Sequence, residues 1–380
     1  MSGTLQGVKL KSTLQPLQLF VHERSVTAIK FNYDGDLIFT ASKDTRPAVF
    51  YANNGELIGT YDCQKGCKGG ASGGAVLDID CSWDSAYVLT GGADSIARMF
   101  NALTGRFLYK MDHVGMVNAV AWSESNELYA TAARHLSPRE HGEINIFKFP
   151  KDYVKDTENI NDDDERYQSY NHLPILKIKL VDPDATGVII IDKPHCMAWG
   201  VANKFILVGT EQGYIYKYDP TTGELLAKAK IHDGKVNCLN FNREKTLFIT
   251  GSKDTTAKLI NPETLEVIKT YYTEKPVNGA VISDLHPHVI VGGGQDAREV
   301  TTTKASSGQF ESRIFHMIYE QEFGRIGGHF GPINAIAIHP EGTAYVSGAE
   351  DGLLRVHHFD DAYIKMSDMI PSENYKRSKE

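Results

Sequence analysis

The fold of this chain is decided by residues 327–360, which read GGHFGPINAIAIHPEGTAYVSGAEDGLLRVHHFD. In this stretch His329 stands 22 residues before Asp351. Two other pairs keep the same interval: His22 with Asp44, and His232 with Asp254. Each pair encloses an apolar segment, a polar turn and a second segment that ends in small residues. The spacing therefore indicates an internal repeat.

Degenerate copies extend the repeat along the chain. Ser72 precedes Asp94 by 22 residues and takes the place of the histidine, whereas His113 precedes His135 and lacks the aspartate. Two further units, residues 205–219 and 275–296, keep the strand pattern without the histidine. The period is about 42 residues, which favours one closed array of seven units over two or three separate domains.

The apolar pattern within each unit predicts β-strands. Apolar and polar residues alternate with a period of two, as in VTAIKF (26–31) and INAIAI (333–338), and turn residues separate four such runs per unit. One four-stranded sheet cannot bury both of its faces, so the sheets must stack and close radially. The prediction is an all-β, seven-bladed β-propeller. We expect residues 13–20 (TLQPLQLF) to close the ring as the outer strand of the last blade.

The repeated histidines and aspartates are predicted to be structural. The histidine would lie in the loop before a blade, and the aspartate in the tight turn between the second and third strands. A charge-assisted hydrogen bond between them contributes about 1.5–3 kcal/mol. Because no second ligand or nucleophile accompanies His22–Asp44, His232–Asp254 or His329–Asp351, we predict no catalytic, metal or cofactor site there.

Composition excludes some classes of function. The chain has 40 Lys+Arg and 48 Asp+Glu, so it lacks the overall basic charge of nucleic-acid-binding proteins. Its five cysteines are scattered and odd in number, and no apolar leader opens the sequence, so we expect a reducing, cytoplasmic location. No apolar run approaches the roughly 20 residues of a membrane-spanning helix, so no membrane partner is expected.

Residues 70–74 (GASGG) match the G-x-S-x-G pattern of hydrolases. That pattern requires a strand–turn–helix corner, whereas Ser72 here occupies the position of a blade histidine. The motif therefore argues poorly for an enzyme. A second local feature is the acidic run NDDDE (161–165), whose like charges predict a mobile hairpin or disorder.

The repeat resembles the WD-repeat family, through Gly328-His329 and through SKDTTAKL (252–259), although the terminal Trp-Asp of that family is missing. A closer resemblance covers nearly the whole chain. The segments NNGELIGTY (53–61) and GGGQDAREVTTTKASSGQFESRIFHMIYEQEFGRIGG (292–328) are similar to subunit I of eukaryotic translation initiation factor 3. The most diagnostic parts are VTTT (300–303) and EFGR (322–325), which lie outside the generic repeat pattern.

This resemblance implies a non-catalytic scaffold without cofactor or small-molecule substrate. It implies binding of the C-terminal tail helix of subunit b beside the fifth and sixth blades, and of an N-terminal segment of subunit g. Contact with the small ribosomal subunit would be mostly indirect. Carried over to this sequence, the subunit b site would use Leu259 as an apolar anchor, Glu244 to steer a basic partner, and Asn261.

The predicted organisation is an N-terminal extension (residues 1–12), one propeller (13–360) and a C-terminal tail (361–380). Residues 151–172 form an acidic insertion in blade 3, and residues 297–309 an extended loop in blade 6. Two other functions stay open at this point. One is a WD-repeat adaptor in signalling or in another RNA–protein assembly, and the other is an enzyme with its site at the mouth of the central channel.

Overall fold

The structure is a computed structural model, and it describes residues 16–64, 73–135, 137, 139–157, 170–183, 189–294 and 310–365. Seven four-stranded antiparallel sheets and one two-stranded hairpin contain the strands of this part of the chain. The first strand of each sheet contacts the first strand of the next, and the seventh contacts the first. The all-β, seven-bladed propeller is thus confirmed.

In each of the first six blades the four strands form a meander that runs in sequence order from the central channel to the rim. The first three blades have these strands: β2 (Val26–Phe31), β3 (Leu37–Ser42), β4 (Ala48–Tyr51) and β5 (Leu57–Thr60); β6 (Val76–Cys81), β7 (Tyr87–Gly92), β8 (Ile96–Asn101) and β9 (Phe107–Asp112); β10 (Gly115–Trp122), β11 (Leu128–His135), β12 (Glu143–Lys148) and β13 (Leu176–Lys179). Helix α1 (Lys151–Thr157) follows β12, and the hairpin β14 (Val181–Pro183) and β15 (Ile189–Ile191) leads to blade 4.

The remaining four blades repeat the arrangement. Their strands are β16 (Pro194–Trp199), β17 (Ile206–Thr210), β18 (Tyr214–Tyr218) and β19 (Leu225–Lys230); β20 (Val236–Phe241), β21 (Phe248–Ser252), β22 (Thr256–Ile260) and β23 (Val267–Tyr272); β24 (Val277–Ile282), β25 (His288–Gly293), β26 (Phe310–His316) and β27 (Glu322–His329); β28 (Ile333–Ile338), β29 (Ala344–Ala349) and β30 (Leu354–His358). A 3-10 turn (Val201–Asn203) lies in blade 4, and helix α2 (Asp361–Ile364) follows blade 7.

The last blade takes its outer strand from the start of the chain, as predicted. Strand β1 (Leu17–Leu19) pairs antiparallel with β30, with Leu17 opposite Val356 and Leu19 opposite Leu354. Leu19 is buried in the cluster between blades 7 and 1. Backbone pairing and apolar burial together hold the two ends of the propeller in one sheet.

Apolar side chains between neighbouring blades form the core. The buried residues fall into seven clusters, and each cluster joins two adjacent blades. The alternation of apolar and polar residues in the sequence produces these clusters, because successive side chains of a strand point to opposite faces of the sheet and so pack against the blade on each side. Each blade thus depends on the next for its burial, and the ring is stabilised as a unit.

The two ends of the blade 3 insertion pack against the propeller. Tyr153 and Val154 of α1 pack into the cluster between blades 2 and 3, and the ring of Tyr170 stacks on Tyr153 at 4.0 Å. The N–H of His172 donates to the carbonyl of Lys110, 2.8 Å away, so the returning chain covers the outer edge of blade 2. These aromatic groups supply a packing surface for both ends of the insertion. The acidic run 161–165 lies outside the described residues.

A short helix continues past residue 360, the predicted end of the propeller. The Asp360 carboxylate accepts a hydrogen bond from the N–H of Tyr363, 2.8 Å away, and so caps α2. Tyr363 is buried, and its hydroxyl lies 2.8 Å from Nδ1 of His288. Helix α2 is thereby fixed against blade 6. In the described residues no helix has the length and apolar character needed to cross a membrane.

Candidate functional site

The repeated histidines and aspartates meet on one face of the ring. His22 and His232 lie in the loops before their blades, His329 ends strand β27 just before blade 7, and each aspartate lies in the turn between the second and third strands. The distances between histidine Nδ1 and aspartate Oδ2 are 2.8 Å for His22–Asp44, 2.8 Å for His232–Asp254 and 3.3 Å for His329–Asp351. Each aspartate also accepts a hydrogen bond from the backbone N–H that follows the histidine.

A hydroxyl group completes each set, and sequence reasoning missed it. Nε2 of each histidine lies within 2.8 Å of the hydroxyl oxygen 18 residues later, on Thr40, Thr250 or Ser347. His113, which has no aspartate, keeps the same contact with Thr131 at 2.7 Å. The signal was present in the sequence as a fixed interval of 18 residues. Both ring nitrogens are satisfied, so these histidines join strand to turn and are not poised for proton transfer.

The aspartates of these sets are stabilised in their ionised form. Burial alone would raise the pKa of Asp254, but hydrogen bonds from His232, Thr256 and the backbone hold that pKa well below its usual value. The pKa values of Asp44 and Asp351 are lowered in the same way. A carboxylate that accepts several hydrogen bonds within its own loop stabilises that loop.

In blade 2 a different residue fixes the turn between the second and third strands. Asp94 has no histidine to meet, and the guanidinium of Arg98 lies 2.6 Å from its carboxylate. The Arg98 side chain is almost fully buried. A buried arginine thus replaces the histidine as the donor that fixes this turn.

A second repeated feature lines the channel, and it was also missed. Each of the seven inner strands has a β-bulge near its start, at the second residue in six of them and at the fourth residue, Asn118, in β10. A bulge changes the direction of a side chain, and here that residue reaches the adjacent blade. At five interfaces its side chain donates to the carbonyl that opens the next inner strand: Thr27 to Val76, Asn118 to Pro194, Asn237 to Val277, Asn278 to Ile333 and Asn334 to Val26, over 2.7–3.1 Å. The sequence signal is Val-Asn or Ile-Asn in four units.

The channel holds a cavity of about 480 Å³, with Lys43, Lys253 and Glu350 at the end that carries the histidine–aspartate sets. Side chains from different blades meet at the other end. The Arg243 guanidinium of blade 5 lies 5.4 Å from the Tyr33 ring of blade 1, and the Tyr33 ring is tilted against that of Trp83 of blade 2, with 4.0 Å between the ring centroids. Blades 5 and 1 are not neighbours, so this contact crosses the ring.

The three predicted partner-binding residues differ in how far they are buried. Glu244 is exposed in the turn between the first and second strands of blade 5. Asn261 begins the turn between its third and fourth strands, and its side chain accepts a hydrogen bond from the N–H of Glu263 at 2.8 Å. Leu259 is only 2% exposed and belongs to the cluster between blades 5 and 6. The expectation that Leu259 anchors a partner is therefore wrong, because its strand position turns it into the core.

Two other sequence features lie outside the described residues: Ser72 of the G-x-S-x-G pattern, and the blade 6 loop, residues 297–309. In the ranges that the structure describes, no group of three or more His, Cys, Asp or Glu side chains could hold a metal ion.

A seven-bladed ring with repeated histidine–aspartate–hydroxyl sets defines a WD-repeat β-propeller. The EIF3I family model matches residues 14–368. Subunit I of eukaryotic translation initiation factor 3 from Bombyx mori is 38% identical over 351 residues, which is 92% of this chain and 97% of that protein. The subunit from Homo sapiens is 38% identical over 352 residues, with 93% and 98% covered, and that from Nematostella vectensis is 38% identical over 351, with 92% and 98% covered. The chain belongs to the family of subunit I of eukaryotic translation initiation factor 3.

Proposed function

We propose that the chain acts as a non-catalytic scaffold subunit of translation initiation factor 3. In this proposal its rim binds the C-terminal tail of subunit b, and a separate segment of the ring binds the N-terminal part of subunit g. Through these subunits it supports mRNA recruitment, scanning and start-codon selection on the small ribosomal subunit, in the cytoplasm. The support is family membership together with the exposed surface of blades 5 and 6.

The rim of blades 5 and 6 carries the proposal for subunit b. Strand β23 is an outer strand, and it exposes Ile268 (46%) and Tyr272 (74%). The next blade adds Ile318 (55%) in the turn between β26 and β27. Apolar groups in this density at an exposed edge are typical of a binding surface.

Contacts link the two blades at the same rim, which also carries exposed carboxylates. The Tyr271 hydroxyl donates to the carbonyl of Met317 across the two blades, 2.8 Å away, and Lys269 pairs with Glu320 at 2.9 Å. Glu266 and Glu274 are exposed beside the apolar groups. An amphipathic helix with an apolar face and basic flanks complements this surface, and Glu244 adds to its negative field.

The experiment is a binding titration of the chain with a fluorescently labelled peptide of the subunit b tail. Ile268→Glu is expected to weaken binding by about 30-fold, because a buried anchor of this kind contributes about 2 kcal/mol. Glu244→Lys is expected to slow association more than it speeds dissociation, because an exposed charge acts mainly on encounter.

The matched control is Ile58→Glu, which places the same charge on the exposed outer strand of blade 1. It should bind like the unchanged protein, and circular dichroism should show all variants folded. Equal loss of affinity in Ile58→Glu and Ile268→Glu would mean that the rim of blades 5 and 6 is not the docking surface.

A further inference from the structure

Three blades carry a basic residue four positions after the aspartate of the turn between their second and third strands. In blade 2 this residue is Arg98, which pairs with Asp94 at 2.6 Å. In blade 5 it is Lys258, whose Nζ donates to the carbonyl of Ile231, 2.6 Å away. In blade 7 it is Arg355. Blades 2 and 5 thus satisfy the cation at this position from within the ring.

The Arg355 side chain is buried without such a partner. The residue is only 8% exposed, and its buried Nε has no hydrogen-bond partner in the part of the chain that the structure describes. None of the described carboxylates forms an ion pair with its guanidinium. An arginine side chain remains charged in proteins, and burial of an unpaired charge is costly. The position of Arg355 therefore points to an anionic ligand.

Exposed aromatic side chains lie on the two segments beside Arg355. Arg355 is directly opposite Gln18 in the pair of β30 and β1, so their side chains share a face, and alternation places Phe20 on it as well. The opposite face of these strands packs on blade 1, so this face is turned toward blade 6. There Nη1 of Arg355 reaches Gly328, where an added Cβ would lie 2.7 Å from it. Phe20 is 70% exposed, and Phe330, two residues after Gly328, is 84% exposed.

We propose that this edge between blades 6 and 7, formed by Gln18, Phe20, Phe330 and Arg355, binds a short acidic segment of a partner protein. A Glu or Asp carboxylate of the segment accepts hydrogen bonds from the Arg355 guanidinium, and apolar side chains on either side of it cover the two phenylalanines. One carboxylate neutralises the one guanidinium. The site therefore takes a single acidic residue flanked by apolar ones.

The surroundings of Arg355 favour a protein ligand over a nucleic acid. A nucleic acid is held by several cations that contact successive phosphates, whereas Arg355 is one cation that is largely buried. The net charge of -8 and the exposed Glu23 near Phe20 both repel a polyanion. Exposed aromatic groups, in contrast, are typical anchors of protein interfaces. The site uses blade 7 and does not depend on binding of subunit b at blades 5 and 6.

The test begins with a peptide display library, in which a central glutamate is fixed and the flanking positions are random, selected on the full chain. The enriched peptides are expected to carry apolar residues on both sides of the glutamate. The most enriched peptide is then labelled with fluorescein and titrated with the full chain by fluorescence anisotropy. Exchange of its glutamate for glutamine should weaken binding by about tenfold or more, because a hydrogen bond between charged groups is lost.

Variants of the chain separate binding from folding. Arg355→Met should weaken binding of the peptide by about tenfold or more, and Phe330→Ala by about fivefold. Arg46→Met removes the same charge from an exposed turn of blade 1 and should have no effect. Because Arg355 has no partner to lose among the described residues, Arg355→Met should leave the midpoint of urea unfolding unchanged or raise it.

Three results would overturn the proposal. The first is that no enriched peptide binds in an Arg355-dependent manner at concentrations up to about 1 mM. The second is a clear fall in the urea midpoint of Arg355→Met, which would mean that an anion of the chain itself already pairs with Arg355. The third is that single-stranded oligouridine binds in an Arg355-dependent manner and the peptides do not.

Discussion

Replacing Asn334 by alanine should loosen the closure of the ring between blades 7 and 1. Nδ2 of Asn334 lies 2.8 Å from Oγ of Ser25, 3.1 Å from the carbonyl of Val26 and 2.9 Å from the Glu350 carboxylate. Alanine leaves the buried Val26 carbonyl without this donor, which costs about 1–3 kcal/mol, and removes a donor from a carboxylate, which costs a similar amount. Since the channel admits water, we expect a total of about 3 kcal/mol.

Urea unfolding followed by tryptophan fluorescence measures this loss. With an unfolding entropy of about 2.1 cal/mol/K per residue, the 380-residue chain should also melt about 4 °C lower in calorimetry. Asn334→Thr should lose less, because Thr27 makes the equivalent contact through its hydroxyl at 2.7 Å. Asn53→Ala, in an exposed turn, is the control. If Asn334→Ala and Asn53→Ala agree within about 0.5 kcal/mol, the interblade amides do not stabilise the ring.

Three other changes test the fold. Burial, with a smaller effect of two nearby histidines, lowers the pKa of His288 to about 4. The stability that neutral His288 contributes is therefore complete above its ordinary pKa near 6.5 and is lost as pH falls toward 4. In urea titrations across this range, His288→Gln should remove up to about 3 kcal/mol of this pH dependence of the free energy of unfolding. Asp254→Asn should cost about 1–2 kcal/mol at pH 7, and the difference should vanish in acid, because the lowered pKa of Asp254 makes its contribution present above pH ~4 and lost below. Leu19→Ala should cost about 2–4 kcal/mol and expose the chain start to limited proteolysis; unchanged protection would refute the role of β1 as a clasp.

Much of the fold could be predicted because the repeat fixes it. A recurring interval between His22 and Asp44, or between His329 and Asp351, places two loops of one blade on the same face whatever the intervening strands contain. Alternation then decides which side of the sheet each residue faces. The ends of the insertion escaped prediction because Tyr153 and Tyr170 are far apart in sequence and become a packing surface only against blade 2.

The candidate sites were harder to predict because they depend on residues from several blades. Thr27, Asn237 and Asn334 belong to different blades, and only closure of the ring brings them to one cavity. Leu259 was expected to be exposed to a partner, but it is buried. The side chain of a residue in an inner or middle strand can point toward a neighbouring blade, and sequence similarity alone does not distinguish such burial from exposure on the rim.

The pairing of β1 with β30 has a consequence for how the protein is made. A chain emerges from the ribosome at about 5–20 residues per second, so Leu17 waits roughly 20–70 seconds before its partner Val356 is synthesised. During this interval the incomplete ring has two open flanks, and each presents unpaired strand edges or bare apolar faces to other nascent chains. Biogenesis of this subunit should therefore depend on shielding by chaperones until its last blade has left the exit tunnel.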